Sequence, residues 1–318
     1  MAFETINRGY RDTFQPGQLT LGLVVPMEQY ADSPVPTMEH HLQRVALAEQ
    51  LGFAALWLRD VPFNVPSFGD AGQLYDPFVY LGLLAGQTQR IVLGVASIIL
   101  PLRHPAHVAK AAASVDQLSG GRLLLGVASG DRPEEYPAMG HDFEARGASF
   151  RQSFDYIQQV WQKHPTFESE WGSLDGTIDL LPKPEQGRVP LLITGGSQQS
   201  PAWVAAHGAG WITYPRPITT QAKVIREWQQ RVEAVGSPPK PAMQSLYVDL
   251  AEKPDAPPQP IHLGYRLGID ALRDHLEALE EIGIHHVAIN LRFNQANIEK
   301  TLQRLAEGLF PQFSSGAM

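Results

Sequence analysis

An arginine and a histidine follow an apolar run of residues and lie between two prolines. The residues ASIILPLRHP, from Ala96 to Pro105, place Arg103 and His104 between Pro101 and Pro105. A histidine exchanges a proton near neutral pH with an unshifted pKa of about 6.5, so we predict that His104 is a catalytic proton donor or hydrogen-bond partner. Two other roles are open, because His104 could instead cap the following helix or pack against the prolines.

A carboxylate follows a second apolar run. Asp60 comes directly after FAALWLR, residues 53–59. Burial would have to raise the pKa of Asp60 before it could act as a general base, and a positive charge at Arg59 or Arg103 would oppose that rise. We therefore expect Asp60 to act in catalysis as an orienting carboxylate beside His104. The competing interpretation is an ion pair with one of these arginines.

A glycine pair followed by serines gives the clearest local signal of a binding site. In ITGGSQQS, Gly195 and Gly196 permit positive φ and close approach of the backbone, and N–H groups at the start of a helix suit a phosphate. Ser197 and Ser200 add hydroxyl donors, and Arg132 from a neighbouring strand end could reach the same anion. A plain glycine turn with a serine helix cap explains these residues equally well.

The elements that position these residues are strand-like runs that alternate with helical periodicity. Apolar runs occur at 20–25, 53–58, 91–99, 122–128, 190–194, 211–214, 243–250 and 286–291. Each precedes a segment whose apolar residues recur with a period near 3.6. Eight such units predict a (β/α)₈ TIM barrel, in which the strand ends meet at one mouth. A doubly wound sheet is the alternative.

Three connections are longer than a barrel needs, and they follow the second, fourth and seventh strands. The first covers residues 59–74. The second, 164–189, is predicted to contain a β-hairpin with its turn at Asp175-Gly176. The third, 251–267, contains EKPDAPPQP and is expected to be mobile. The first and third follow strands and are therefore candidates for a lid. Residues 1–318 are predicted to form one domain, because no linker divides the chain.

Composition excludes several classes of partner. The net charge is -8 without a basic block, so neither nucleic acid nor an anionic membrane is expected as a partner. The absence of cysteine excludes thiol catalysis and agrees with a cytoplasmic protein. We expect no signal peptide, no membrane span and no metal site, because His104 and His107 lack a third ligand at a suitable spacing.

Four stretches resemble the bacterial luciferase-like flavin monooxygenase family. They are LGFAALWL, LGVASIILPLRHP, DQLSGGRLLLGVASG and PLLITGGSQQSPAWVAAHGAG, and the similarity covers most of residues 20–310. The resemblance implies a (β/α)₈ barrel with insertions, a reduced FMN or deazaflavin cofactor, and often a dimer.

The resemblance also implies which residues hold the cofactor. It predicts a non-proline cis peptide between Ala96 and Ser97, behind the flavin ring. It places the flavin phosphate at the turn that follows the fifth strand, with help from the end of the fourth. The residues at these two strand ends are Gly195, Gly196, Ser197, Ser200, Ser129 and Gly130.

One position departs from the family pattern. Many members carry a histidine after the second strand in the pattern W-x-x-(D/E)-H. In this chain the stretch is WLRDVPF, with Asp60 at the position of the acid and Val61 at the position of the histidine.

The sequence favours a monooxygenase that uses O₂ and reduced FMN, supplied by a transiently bound flavin reductase, on a small organic substrate. The alternatives are a deazaflavin-dependent reductase or dehydrogenase and a non-catalytic flavin-binding protein. A homodimer is expected.

Overall fold

Parallel strands that close into a ring form the centre of the computed structural model, which describes residues 3–313. In chain order the strands are β1 (Thr20–Val24), β2 (Ala55–Leu58), β3 (Val92–Ile99), β4 (Leu123–Ala128), β5 (Thr166–Ser169), β6 (Gly172–Asp175), β7 (Leu191–Thr194), β8 (Gly210–Thr213), β9 (Ala242–Leu250), β10 (Gln259–Ile261), β11 (Gly264–Leu267) and β12 (His286–Asn290). The ring runs in the order β9, β12, β1, β2, β3, β4, β7, β8. Because β9 pairs with both β12 and β8, this ring closes on itself. The predicted (β/α)₈ barrel is confirmed.

Helices cover the outside of the ring and one of its ends. They are α1 (Arg8–Thr13), α2 (His41–Leu51), α3 (Pro77–Gln87), α4 (Pro105–Ser119), α5 (Glu135–Ala138), α6 (Arg146–Val160), α7 (Pro201–His207), α8 (Ile218–Ala234), α9 (Ile269–Glu281) and α10 (Ile298–Leu309). A short 3₁₀ helix, Pro66–Phe68, lies in the connection after β2. The predicted single-domain range includes residues 1, 2 and 314–318, which lie outside the described part of the chain.

Side chains along each barrel strand alternate between the interior and the surrounding helices. On β2, Ala55 and Trp57 belong to the interior cluster, whereas Leu56 and Leu58 pack in the layer beneath the helices. Tyr10 of α1 joins the interior cluster, and its hydroxyl donates to the carbonyl of Ala209, just before β8 begins. Helix α1 therefore closes the end of the ring where the strands begin, and the mouth lies at the other end.

The barrel interior is packed so tightly around Trp57 that one neighbouring position must be glycine. Gly94 lies beside Trp57 on the adjacent strand β3. A Cβ atom at Gly94 would lie 2.5 Å from Cε3 of the Trp57 ring, which is far inside van der Waals contact. The ring cannot simply move aside, because its Nε1 donates to Nε2 of His286 at 2.8 Å.

We predict that Gly94→Ala destabilises the protein, because the added methyl group would overpack the barrel interior. The expected loss in the free energy of unfolding is about 2 kcal/mol, measured by urea denaturation. Gly82→Ala is the matched control, since a Cβ atom in this α3 glycine would meet nothing within 4 Å and alanine favours helix. Equal stabilities of the two variants would contradict the packing argument.

The insertion at 164–189 contains a β-hairpin, but its turn differs from the predicted one. Strands β5 and β6 pair antiparallel with Ser169 opposite Gly172, so the turn lies at 170–171 and not at Asp175-Gly176. Ser169 Oγ accepts from the backbone N–H of Trp171 at 3.2 Å, which stabilises this earlier turn. Asp175 instead accepts from the N–H of Thr177 at 3.0 Å after the hairpin has ended.

The segment 251–267, predicted as a loop, contains a second hairpin. Strands β10 and β11 pair antiparallel, and β11 also pairs in parallel with the second half of β9. Gly264 makes this approach possible, because a Cβ atom there would lie 1.9 Å from the carbonyl oxygen of Tyr247. The residues that precede this hairpin are also hydrogen-bonded, since the Asp270 N–H donates to the Pro254 carbonyl at 3.0 Å. Mobility of this segment stays a prediction, which limited proteolysis near Lys253 would test.

Candidate active site at the barrel mouth

Small residues on three adjacent strands form an open shelf in the mouth. We call Ala96, Ser97, Ala128 and Thr194 the shelf; all four are partly exposed. The predicted cis peptide between Ala96 and Ser97 is confirmed. Ser97 Oγ and Thr194 Oγ1 share a hydrogen bond across β4. That bond requires glycine at position 126, where a Cβ atom would lie 3.2 Å from Ser97 Oγ and 2.3 Å from the Val95 carbonyl.

The glycine turn after β7 begins at one end of the shelf. Gly195, Ser197 and Gln198 have φ angles of 55°, 45° and 59°. The backbone N–H groups of residues 196, 197 and 198 have no hydrogen-bond acceptor among residues 3–313. Successive free N–H groups in such a turn form a concavity that attracts anions. The serine side chains are already engaged, because Ser197 Oγ donates to the Thr194 carbonyl at 2.8 Å and Ser200 Oγ caps α7 by accepting from Trp203 N–H.

The end of β4 borders the shelf between β3 and β7. Ser129 is buried, and its carbonyl accepts from the Tyr136 hydroxyl. Gly130 has a φ of 77°, and a Cβ atom there would lie 2.8 Å from Cγ2 of Ile99. These contacts hold Ser129 and Gly130 in place beside the shelf. Their role in cofactor binding stays a prediction.

A buried chain of hydrogen bonds supports the interior below the shelf. Trp57 donates to Nε2 of His286, so His286 carries its proton on Nδ1 and donates to Thr20 Oγ1 at 2.7 Å. Thr20 in turn donates to the Thr13 carbonyl at 2.7 Å. Complete burial lowers the pKa of His286 to about 3, so the ring is neutral at pH 7. This histidine therefore has a structural role.

A charged cluster lies in the mouth beside β2 and β12. We call Arg59, Asp70 and Arg292 the arginine cluster. Arg59 Nη1 lies 2.5 Å and Arg292 Nη1 3.1 Å from the same Asp70 oxygen. The other Asp70 oxygen accepts from Gly72 N–H at 2.7 Å and from the Tyr30 hydroxyl at 3.3 Å. Burial alone would raise the pKa of Asp70, but the charge of Arg59 and the Gly72 hydrogen bond outweigh burial and lower it.

Two negative findings apply to residues 3–313. No group of three or more histidine, aspartate or glutamate side chains within this range could hold a metal ion. No helix in the same range is long and apolar enough to cross a membrane.

The barrel agrees with comparisons to known proteins. The family model described as luciferase-like monooxygenase matches residues 19–257. The chain belongs to this family. A 4-hydroxyprotoasukamycin monooxygenase from Streptomyces nodosus subsp. asukaensis is 26% identical over 66% of this chain and 57% of its own length. An F420-dependent hydroxymycolic acid dehydrogenase from Mycobacterium tuberculosis is 27% identical over 73% of this chain and 62% of its own length.

Solved structures in the same comparison support the fold. The oxygenating constituent of 3,6-diketocamphane monooxygenase from Pseudomonas putida, in complex with FMN, superposes with a TM-score of 0.73 at 15% identity. The match covers 93% of this chain and 99% of that structure. The sequence matches, by contrast, span only between 50% and 66% of the length of the curated relatives. The family to which this luciferase-like chain belongs contains both monooxygenases and F420-dependent enzymes.

The structure contradicts the prediction that Arg132 reaches the anion at the Gly195 turn. Arg132 Nη2 donates to the backbone carbonyl of Asp70 at 3.0 Å. Its guanidinium carbon lies 4.1 Å from the centre of the Phe68 ring, and Nη1 lies 3.8 Å from the Glu135 carboxylate. These contacts hold the side chain over the connection after β2, on the opposite side of β3 from the turn.

Asp60 forms an ion pair with Arg103. This ion pair was the alternative to a catalytic role for Asp60. Its two oxygens accept from Arg103 Nη2 at 2.7 Å and from Arg103 Nε at 2.9 Å, and one also accepts from the N–H of Ile99 at 3.1 Å. The pair joins the end of β2 to the residues after β3. Asp60 follows the outward positions Leu56 and Leu58, so its carboxylate lies outside the ring and not beside the shelf.

His104 caps α4, which was the competing interpretation of this residue. Its Nδ1 accepts from the N–H of Ala106 at 3.2 Å. The ring centre lies 5.2 Å from Trp171 of the 164–189 hairpin and 6.2 Å from Tyr156 of α6, both outside the strand ring. Burial and the neighbouring His107 lower its pKa. This location contradicts the prediction of a catalytic proton donor.

Sequence reasoning missed the residues that surround Arg59 and Arg292. Asp70, their shared carboxylate, lies in a long connection, and Tyr247, which is near all three charges, lies three residues before the end of β9. The alternation of inward and outward residues along β2 nevertheless indicated which residue enters the mouth. Arg59 follows Ala55 and Trp57 at intervals of two, so it continues the inward face of β2, whereas Asp60 does not.

We predict that His104 affects stability and not flavin chemistry. His104→Ala removes the cap and should lower the free energy of unfolding by about 1 kcal/mol, whereas His104→Asn retains a capping side chain. Both variants should leave the rate at which O₂ reoxidises bound reduced flavin unchanged in stopped-flow absorbance. Slowed or accelerated reoxidation in a folded His104→Asn protein would restore a catalytic role.

We also predict that burial of neutral His286 makes the protein acid-sensitive. Its folded pKa of about 3 lies below the unfolded value, so the unfolded chain binds more protons between these values and stability falls as pH falls below about 6.5. From pH 7 to pH 5 the wild type should lose about 2 kcal/mol more than His286→Gln, whose amide reaches the position of Nε2 and can accept from Trp57. Urea denaturation at each pH measures this, with exposed His207→Gln as the control. Parallel pH profiles for wild type and His286→Gln would refute the assignment.

Proposed function

We propose that this protein is a monooxygenase that uses reduced FMN and O₂ to oxidise a small organic substrate. The observation that carries the proposal is the shelf of small residues that leads into a turn with three free N–H groups. A flat ring system would lie against the cis peptide at Ala96 and Ser97. A phosphate at the end of the ribityl chain would accept from the N–H groups of Gly196 and Ser197.

Other residues would support the cofactor without touching its phosphate. Ser129 and Gly130 would border the ring or its ribityl chain from β4. Ser200 would act through its cap, which fixes the start of α7 behind the turn. The turn also packs closely against α6, where a Cβ atom at Gly147 would lie 2.8 Å from Cβ of Gln198. This packing favours a cofactor that ends at its phosphate, as FMN does.

When bound, reduced FMN supplies two electrons to O₂, so that one oxygen atom enters the substrate and the other leaves as water. The chain's own residues would bind the flavin, orient it and exclude water from the reacting edge. No G-x-G-x-x-G sequence follows a strand, which favours reduction of the flavin by a separate, transiently bound reductase. A homodimer is the proposed assembly, supported by the exposed apolar residues Val79 and Leu83 one turn apart on α3.

A deazaflavin-dependent dehydrogenase is the second candidate. The similarity to an F420-dependent hydroxymycolic acid dehydrogenase favours it. Val61 argues against it, because the resemblance places a histidine at this position in many deazaflavin-using members. The experiment is a fluorescence titration of the protein with FMN and with F420, followed by O₂ uptake with reduced FMN and candidate substrates. Tighter binding of F420 than of FMN would refute the proposal, and FMN binding without any oxygenated product would indicate a flavin-binding protein.

We predict that a negative charge in the Gly195 turn weakens FMN binding. Ser197→Asp would place a carboxylate against the phosphate and should weaken FMN affinity by more than about tenfold, or about 1.4 kcal/mol. Ser197→Asn is the matched control, because asparagine has the same size as aspartate, tolerates the positive φ and carries no charge. Riboflavin, which lacks the phosphate, should bind both variants equally. Equal FMN affinities of the two variants would place the phosphate elsewhere.

A further inference from the structure

The arginine cluster carries more positive charge than its own acids balance. Arg59 and Arg292 share the single carboxylate of Asp70, and Arg132 approaches the same residue through its backbone carbonyl. Arg132 has acids of its own, because the carboxylates of Glu135, 3.8 Å from its Nη1, and of Asp131 both lie near its guanidinium group. The two guanidinium groups of the arginine cluster itself therefore face the single carboxylate of Asp70.

Several N–H groups of these arginines also lack acceptors. Arg132 Nη1 and Arg292 Nε are buried and make no hydrogen bond among residues 3–313. The Arg132 side chain is only 4% exposed and that of Arg292 11%. Arg59 uses one terminal nitrogen for Asp70, and its side chain is 22% exposed. Buried charged donors without acceptors cost free energy, so an anion that accepts from them would be stabilised.

The cluster lies across the mouth from the turn that would bind the flavin phosphate. In the strand ring, β1 is four strands from β7 in either direction, and β2 and β12 flank β1. Arg59 follows β2 and Arg292 follows β12, so the cluster is diametrically opposite the Gly195 turn. The shelf on β3, β4 and β7 lies between them. An anion at the cluster would therefore belong to a molecule other than the cofactor.

Aromatic side chains surround the cluster. The guanidinium carbon of Arg292 lies 4.9 Å from the centre of the Tyr30 ring and 5.3 Å from that of Phe293. Tyr247 packs 5.1 Å from Phe293, and its hydroxyl has no hydrogen-bond partner within residues 3–313. Such a lining suits an apolar or aromatic body, while the guanidinium fork matches a carboxylate.

We propose that the arginine cluster, together with Tyr247, is a subsite that binds the carboxylate of an organic substrate. The proposal rests on the proposed function, since it orients that substrate across the shelf towards the flavin. The charge excess of one favours a carboxylate monoanion. The apolar part of the substrate would lie over Tyr247 and Phe293, between the cluster and the shelf.

The experiment compares phenylacetate with its neutral isostere phenylacetamide as probes, by isothermal titration calorimetry on the whole protein with and without saturating oxidised FMN. We expect phenylacetate to bind at least about tenfold more tightly than phenylacetamide in both conditions. Arg59→Gln and Arg292→Gln should remove this preference. Arg273→Gln is the matched control, because Arg273 forms an ion pair with Asp270 on the outer helix α9.

Equal affinities for the acid and the amide in the wild type would overturn the subsite, and this comparison holds even if the arginine variants fail to fold. Displacement of phenylacetate by FMN would also overturn it, because the probe would then occupy the cofactor site. If FMN does not bind at all while the arginine-dependent preference for the acid persists, the proposed cofactor is wrong and the carboxylate subsite stands. If a folded Arg59→Gln protein still prefers phenylacetate to phenylacetamide, the cluster only holds the connection after β2 in place, and the subsite is overturned.

Discussion

The pairing of β9 with both β8 and β12 is the constraint on which the rest of the molecule depends. It converts a row of parallel strands into a closed ring, so every strand finishes at the same mouth. Residues far apart in the chain, such as Ser97 and Thr194, meet there because the strand order places β3 and β7 on either side of β4. Closure also fixes the phase of each strand. That phase decides whether a side chain after the strand enters the mouth or packs under the helices.

Charge is distributed unevenly around this mouth. The turn after β7 offers free backbone N–H groups, and the arginine cluster across the ring offers guanidinium groups. Small residues lie between these two places, so an elongated or flat molecule has room there. Buried arginines are stable in this position because Asp70 forms ion pairs with Arg59 and Arg292, while aromatic rings lie over the guanidinium groups of Arg292 and Arg132. A single carboxylate thus organises three connections of the barrel.

The polar residues after β3 have a different purpose from those in the mouth. Arg103 binds Asp60 with two hydrogen bonds and also reaches Asp76, the residue that caps α3. His104 caps α4, and its ring contacts Trp171 of the 164–189 hairpin. The two prolines hold this corner, where one strand, two helices and an insertion meet. The polar pair between them stabilises the scaffold that supports the shelf.

The sequence by itself determined the barrel, the long connections and the position of the cis peptide. Local patterns carry this information, because the alternation of strand and helix periods and the family motifs are written in consecutive residues. It also located the Gly195 turn, in which Gly195 adopts a positive φ of 55°. Only the tertiary structure decided which polar residues face the mouth. Asp60, His104 and Arg132 each follow a strand end, yet an ion pair, a helix cap and a loop carbonyl draw them elsewhere. Conversely, Asp70 and Tyr247 lie beside Arg59 and Arg292 because the strand order places β9, β12, β1 and β2 next to one another, which spacing along the chain does not show.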